Sequence, residues 1–227
     1  MTRQWICVAV ALMIGVLPGA AAELPLTWDG LVAVKAKRLD AVWLAPDADF
    51  RDYTKVMLDP TEVALRKNWL RDYNQSASRG ISNKITDADI QRAFETIRTK
   101  TGEVFAREYG AAGYQVVTAP GPDVLRVRTG VINVSVSAPD MMSATRTYSR
   151  EAGEATLVME ARDAQSGALL GRAVDQRLAG DNTLMMRNRV TNRADFTRLF
   201  TSWAKESVAG LNELKALSAS DIARLKK

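Results

Sequence analysis

The sequence has no histidine and a single cysteine, Cys7, among its 227 residues. Because Ser-His-Asp and Cys-His nucleophilic catalysis both require an imidazole base, neither mechanism is available to this chain. Zinc, haem and iron–sulfur sites depend on histidine or cysteine ligands, so we expect no cofactor and no metal of these classes. An internal disulfide would need a second cysteine. We therefore predict no catalytic, cofactor-binding or metal-binding residue and a protein that is not an enzyme.

An excess of one charge sign is also nearly absent. The chain carries 31 lysines and arginines against 26 aspartates and glutamates, which gives a formal net charge of +5. Basic and acidic residues alternate along most of its length, and no basic run is interleaved with aromatic residues as in nucleic-acid-binding proteins. The composition thus predicts that nucleic acid is not a partner.

Long apolar runs are missing except at the N-terminus, where residues 5–17 precede Pro18 and Gly19. This run is shorter than the roughly 20 residues of a membrane-spanning helix. Three alanines follow it and supply the small side chains that signal peptidase requires, so cleavage is predicted between Ala22 and Glu23. We expect residues 1–22 to be a signal peptide and the protein to be periplasmic or secreted from a bacterium, soluble after cleavage and without a stable transmembrane segment.

The predicted mature chain begins at residue 23 and contains 205 residues with a net charge of +4. Cys7 lies inside the apolar run rather than after it, so it is not placed to accept a lipid. We find no internal repeat or linker, and the chain is long enough to bury one core. Residues 23–217 are predicted to be a single globular domain, followed by a basic C-terminal tail over residues 218–227.

Two helices are indicated by apolar residues that recur every three or four positions. The first is predicted to begin with a capping box of Thr86 and Asp89 and to end at Gly110. The second is predicted to be capped by Asn192, with Asp195 at its third position. The apolar stripe of this second helix consists of Phe196, Leu199, Phe200, Trp203, Leu211 and Leu214.

Alternating apolar residues predict strands over residues 41–44, 55–65 with a bend at Pro60, 114–117, 125–136, 157–162 and 169–175. The strand over residues 125–136 changes phase, which predicts a β-bulge at Thr129 and Gly130. Together with the helices, these strands predict an α+β fold. It is a two-layer sandwich in which a mostly antiparallel sheet of about five to six strands carries two amphipathic helices on one face.

Two loops, predicted over residues 137–153 and 179–189, combine methionine with arginine. Flexible apolar side chains beside bidentate donors are common at protein interfaces, so these loops are candidates for partner binding. The alternative is that they are solvated loops whose methionines pack onto the core. The candidate residues are Met141, Met142, Arg146, Arg150, Met185, Met186, Arg187 and Arg189.

Acidic residues are concentrated at Asp47, Asp49, Asp52, Asp59 and Glu62. Two carboxyl groups that flank a cleft can hydrolyse a glycosidic bond without histidine, so this segment allows a carboxylate-based hydrolase of envelope glycans. The alternative is that acids in turns accept hydrogen bonds from nearby backbone N–H groups.

Residues 49–63, with the sequence DFRDYTKVMLDPTEV, resemble the bacterial domain-of-unknown-function family 3313 (DUF3313), whose members are described as periplasmic lipoproteins. Residues 28–31, 113–117 and 121–127 extend the similarity over nearly all of the mature chain. The lipid-acceptor cysteine of that family is missing here. The resemblance implies an envelope location and a domain with both helices and strands, and it transfers no active-site residue.

The sequence thus favours a non-enzymatic accessory protein of the cell envelope that binds another protein or peptidoglycan. A periplasmic hydrolase of envelope glycans is the alternative function. A third hypothesis, a protein that binds a small ligand, requires an apolar cavity between the sheet and the helices.

Overall fold

The computed structural model describes residues 25–77, 84–137 and 147–225. Over these ranges the chain forms nine strands and four helices. The strands are β1 (Thr27–Trp28), β2 (Leu31–Val34), β3 (Ala41–Leu44), β4 (Lys55–Leu58), β5 (Glu62–Leu65), β6 (Gln115–Val117), β7 (Val124–Val136), β8 (Tyr148–Asp163) and β9 (Leu169–Met186). The helices are α1 (Trp69–Ala77), α2 (Asp87–Ala111), α3 (Arg189–Lys215) and α4 (Ala219–Ala223).

One mixed sheet contains all nine strands, in the order β1-β2-β3-β9-β8-β7-β4-β6, with β5 also paired to β7. The pairs from β1 through β9 and β8 to β7 are antiparallel, whereas β4 lies parallel to β6 and β7, and β5 lies parallel to β7. The predicted α+β class with a mostly antiparallel sheet is confirmed. The predicted five to six strands were too few, because β1 and β2 were not predicted and β5 is a separate strand beyond Pro60.

The long helices α2 and α3 pack on one face of the sheet, which we call the helix face. Alternation along the strands directs every second side chain toward them. Leu125, Val127 and Val131 of β7 and Leu157 of β8 are buried in this core together with Phe200 and Trp203 of α3. The opposite face, here the outer face, has a smaller cluster in which Trp43, Val158 and Val174 are buried.

The N-terminus of α2 is as predicted, since Thr86 and Asp89 form a reciprocal capping box. The predicted start of the last helix at Asn192 was wrong. Asn188 caps α3 and forms a capping box with Thr191, so Asn192 lies inside the helix. Asparagine with a hydrogen-bonding residue three positions later occurs at both places, and the sequence pattern does not distinguish them.

Two short helices were not predicted. Trp69 of α1 is buried and stacks on Tyr73, with ring centroids 5.8 Å apart. The segment predicted as a basic C-terminal tail contains α4, whose Ile222 is buried. The backbone N–H of Lys35, directly after β2, donates to the carbonyl oxygen of Leu225 at 3.2 Å. The described part of this segment therefore packs on the domain.

The phase change in β7 arises at a different residue from the one predicted. Pairing with β8 is regular through Ile132 and resumes at Ser135, so the bulge lies between them and not at Thr129 and Gly130. Asn133 within the bulge has φ of +52°. Asparagine tolerates this left-handed conformation better than most side chains. As predicted in outline, apolar residues on both sides of the bulge, Val131 and Val134, reach the same core.

The loop predicted over residues 179–189 is instead the end of β9, which continues to Met186. Its pairing with β8 is irregular, passing from Gly180 opposite Glu151 to Met185 opposite Ser149. Two glycines mark close approaches of backbone in this region. A Cβ on Gly153 would lie 2.0 Å from the Ser135 carbonyl oxygen, and one on Gly180 would lie 2.6 Å from that of Arg150. We call the paired ends of β8 and β9 beyond these glycines the ribbon end.

Candidate functional site

The predicted acidic cluster divides into two groups in the structure. Asp47, Asp49 and Asp52 lie in the segment between β3 and β4, whereas Asp59 and Glu62 flank the junction of β4 and β5. Both groups contain carboxylates bound by arginine. The local-acceptor interpretation describes Asp49 well, since it accepts from the backbone N–H of Arg51 at 3.0 Å.

The electrostatics of Asp49 differ from those of a general acid. Hydrogen bonds from the Arg51 side chain and backbone lower the pKa of Asp49 to about 2. A glycosidase acid must hold its proton near neutral pH, which requires a raised pKa. Asp49 is therefore ionised near neutral pH and does not serve as a general acid.

The second acidic group belongs to a network of charges on the outer face. Arg128 of β7 lies 3.4 Å from Asp59, 3.1 Å from Glu62 and 3.8 Å from Glu160 of β8. Glu160 is buried and also bonds to Arg172 of β9 at 2.5 Å. Arginines on β7 and β9 thus lie between the carboxylates of this network.

Arg172 connects this network to the first turn of the domain. Its guanidinium lies 4.1 Å from the ring centroid of Trp28 and 2.9 Å from a carboxylate oxygen of Asp29. Trp28 in turn meets Trp43 edge-on, with centroids 5.2 Å apart. Stacked and bidentate contacts of this kind immobilise arginine, so the network holds β1 and its turn on the sheet.

The helix face buries a different carboxyl group, that of Asp175 on β9. Burial raises the pKa of Asp175 more strongly than its partners lower it. Those partners are the indole N–H of Trp203 at 2.8 Å, the guanidinium of Arg177 at 2.6 Å and the backbone N–H of Asp40 at 3.0 Å. Because both carboxylate oxygens accept internal donors, Asp175 joins α3 to the sheet.

Several of the predicted site residues lie outside the described residues, namely Ala22 and Glu23 at the predicted cleavage site and Met141, Met142 and Arg146 of the first loop. Arg150 is exposed near the start of β8, and Arg189 is exposed in the first turn of α3. Met185 and Met186 end β9.

Arg187, another candidate for partner binding, is buried. Its guanidinium pairs with Asp195 of α3 and donates to the carbonyl oxygen of Ser149 at 2.8 Å. Asp195 also pairs with Arg198. Arg187 therefore connects β8 to α3 and is not available at the surface.

Exposed apolar side chains are concentrated at the ribbon end and the adjoining first turn of α3. Tyr148 and Met186 are directly opposite each other across β8 and β9. The exposed fractions are 56% for Tyr148, 64% for Leu184, 38% for Met186 and 76% for Val190. We call these four residues the ribbon-end patch.

An apolar cavity lies between the sheet and α3, as the small-ligand hypothesis requires. Leu44, Leu125 and Met159 from the strands and Ser207 and Leu211 from α3 line it. Its volume of about 90 Å³ is far below the 300–1,000 Å³ typical of ligand pockets. This cavity is a packing gap in the core.

A larger groove of about 560 Å³ lies between the N-terminal halves of α2 and α3, and we call it the interhelical groove. Apolar side chains from α1, α2, α3, β5 and β7 line it, including Leu65, Trp69, Phe94, Ile97, Val134 and Phe196. Four cationic side chains, Arg92, Lys100, Arg189 and Arg193, also line it. Asp89 is the single acid among the described lining residues.

Little in the sequence indicates this groove. Phe94, Ile97 and Phe196 belong to apolar stripes that predict a packed core, and nothing in their spacing shows that the helices separate. Arg189 was selected for its place beside two methionines rather than for its position on the groove. The cationic residues of α2 and those of α3 line the same groove only because the tertiary fold brings the two helices together.

Among the described residues, no three histidine, cysteine, aspartate or glutamate side chains converge as a metal site would require. None of the helices in the described part of the chain is both long and apolar enough to span a bilayer.

Comparison with known proteins gives one family and several distant structures. The model of a family described as a protein of unknown function (DUF3313) matches residues 26–207. A PelC dodecamer from Paraburkholderia phytofirmans is similar at 13% identity and a TM-score of 0.36, covering 75% of this chain and 95% of that one. A minor lipoprotein from Acinetobacter baumannii is similar at 8% identity and a TM-score of 0.30, covering 72% and 94%. No curated protein matches the sequence.

Proposed function

Because this chain belongs to the DUF3313 family, we propose that it is a non-enzymatic accessory protein of the bacterial cell envelope that acts by binding a partner protein. The ribbon-end patch is the observation that carries this proposal. The signal-peptide pattern over residues 1–22 supports the envelope location, since it predicts export.

The patch has the chemistry of a protein interface. Tyr148 and Met186 are cross-strand neighbours, and adjacent exposed apolar side chains are unfavourable in water and mark interaction sites on proteins. Tyr148 offers a rigid aromatic ring with a polar hydroxyl, and Met186 offers an adaptable apolar chain. Thr191 in the first turn of α3 donates to the Met186 carbonyl oxygen at 3.0 Å, which fixes the helix turn carrying Val190 beside the ribbon end.

The carboxylates have partners within the fold, which argues against a catalytic role. Asp59 and Glu62 contact Arg128, Asp49 contacts Arg51, and Asp175 is occupied by three internal donors. A catalytic pair would need a carboxyl group that faces substrate and keeps its proton. The roles of these carboxylates in the fold explain their presence without a reaction.

Site-specific photocrosslinking in cells tests this function. A photoreactive amino acid at position 184 should give a discrete adduct with one envelope protein, which mass spectrometry identifies. Position 26 provides the matched control, because Leu26 is a leucine of similar exposure, 71%, that precedes the edge strand β1, whereas Leu184 lies near the end of β9, the fourth strand in the sheet order. The adduct should form from position 184 and not from position 26.

The identified partner is then tested with purified proteins. Met186→Asp should weaken binding at least about tenfold, since it places a charge in an apolar contact. Leu26→Asp should leave binding unchanged. Equal crosslinking from both positions, or equal binding by both variants, would contradict the proposal.

A further inference from the structure

The interhelical groove exists because α2 and α3 are joined closely at one end only. The buried residues of α2 all lie in its second half, from Thr101 to Tyr109. There the hydroxyls of Tyr109 and Ser207 are 2.6 Å apart, which holds the two helices together. In the first half of α2, Ile90 and Phe94 are only half-buried. Apolar surface is thus left between the helices.

The groove has the volume of a small-molecule site. Its volume of about 560 Å³ is within the 300–1,000 Å³ range of ligand pockets. A docked protein helix would need a much larger contact, since stable protein interfaces bury about 800 Å² on each partner. The size therefore favours one slender apolar molecule.

Among the described lining residues of the groove, four are cationic and one is acidic. Against its four cations stands Asp89, whose carboxylate already accepts from the Thr86 cap and pairs with Arg92 at 2.6 Å. Lys100 pairs with Glu103 at 2.5 Å. Arg193 makes no ion pair with any described residue and is exposed. The guanidinium of Arg193 is therefore available to bind a negatively charged head group through two hydrogen bonds.

We propose that the interhelical groove binds a medium-chain fatty acid as its anion. The aliphatic chain lies against Phe94, Ile97 and Phe196, and the carboxylate is held at Arg193. The groove shares no lining residue with the ribbon-end patch, although Arg193 lies one helical turn beyond Val190 of that patch. Binding in the groove does not depend on the proposed partner protein.

Calorimetric titration of the chain from residue 23 onward with decanoate and laurate, below their micelle concentrations, tests the proposal. We expect one saturable site per chain and affinity that rises about fourfold for each added methylene, the value for burial of a CH₂ group. Dodecanol, which has the chain of laurate without its charge, should bind at least about tenfold more weakly.

Three variants separate the contributions of charge and chain. Arg193→Glu should weaken laurate at least about tenfold and leave dodecanol unchanged. Ala93→Trp, at an exposed lining position, should fill the groove and weaken both ligands. Arg107→Glu, on the second half of α2 and outside the groove, should change neither. Thermal unfolding midpoints close to that of the wild type establish that the variants are folded.

The proposal is overturned if laurate shows no saturable binding, if laurate and dodecanol bind equally, or if Arg193→Glu retains full affinity for laurate. Binding of an acidic amphipathic peptide in place of laurate also overturns it. Leu184→Asp in the ribbon-end patch should bind laurate normally. Failure of the partner-protein proposal is therefore distinguishable from failure of this one.

Discussion

The two faces of the central sheet bury their carboxyl groups in opposite ways. Glu160 on the outer face lies within 4 Å of three arginines, Arg128, Arg162 and Arg172. Asp175 on the helix face has one, Arg177, and otherwise faces the core beneath α3. Burial raises the pKa of both carboxyls, but for Glu160 the arginines outweigh burial and lower it, whereas for Asp175 burial prevails.

This difference shows that β8 and β9 are stabilised by different interactions on the two faces of the sheet. The helix face is closed by apolar packing, and Asp175 accepts a hydrogen bond from the indole of Trp203 within it. The outer face is held by an ionic network over a small aromatic cluster. Apolar packing contributes most to stability per residue, whereas a buried ionic network costs most when one member is removed.

The largest effect is expected on the helix face. Trp203→Ala should lower the free energy of unfolding by about 4 kcal/mol, because it leaves a cavity and removes a donor from Asp175. Trp28→Ala on the outer face should cost about half as much, since Trp28 is only half-buried. Urea unfolding measures both. Equal losses would show that the faces do not differ in this way.

The next effect concerns the outer face. Arg172→Met should cost about 3 kcal/mol, because it leaves the buried Glu160 with incomplete pairing. Arg162→Met is the matched control and should cost about 1 kcal/mol, since this arginine is more exposed. The same unfolding measurement applies. A loss for Arg162→Met as large as that for Arg172→Met would contradict the assignment of Arg172 as the central cation.

A smaller effect is the dependence on pH, which should have opposite signs on the two faces. The folded pKa of Asp175 is raised above 3.8, so its contribution is fully present below that pH and is lost as pH rises through the folded pKa. The folded pKa of Glu160 is lowered from 4.5, so its contribution is present above that pH and is lost as pH falls.

Unfolding of the wild type, Asp175→Asn and Glu160→Gln between acid and neutral pH measures these contributions. The wild type should lose stability relative to Asp175→Asn as pH rises, and relative to Glu160→Gln as pH falls. If both differences in the free energy of unfolding, wild type minus variant, changed in the same direction with pH, the contrast between the faces would be refuted.

The smallest effect is expected away from both faces. Leu184→Asp in the ribbon-end patch should change the free energy of unfolding by no more than about 0.5 kcal/mol, because Leu184 is mostly exposed. Chemical denaturation of this variant beside Leu26→Asp provides the comparison. A loss above about 2 kcal/mol would show that Leu184 supports the core instead.

The sequence predicts those parts of the fold that local chemistry determines. The capping box of α2 is specified by Thr86 and Asp89, which are three residues apart. The hairpin of β8 and β9 follows from alternating side chains around the turn at residues 163–167. By contrast, the start of α3 was not predicted, because Asn188 with Thr191 and Asn192 with Asp195 are equivalent patterns in the sequence. Asp195 instead pairs with the buried Arg187, a contact that no local pattern reveals.

The candidate sites were less predictable than the fold. Composition identified Met186 and Arg189, which occupy the ribbon-end patch and the interhelical groove respectively. It also identified Arg187, which is internal, because an arginine in a core ion pair and one at an interface look the same in a sequence. Arg193 was not predicted, because its position on the groove depends on the separation of α2 and α3, which is a feature of the tertiary fold.

The glycines at positions 153 and 180 influence how mutational data on this protein should be interpreted. Each sits where any side chain would collide with the backbone of a neighbouring segment. In a library that samples every substitution at every position, both sites will tolerate almost nothing, as catalytic residues do. This intolerance arises because the main chains approach closely where the ribbon end begins. Positions that contact a ligand or partner behave differently, since they tolerate many changes in a test of stability and few in a test of binding.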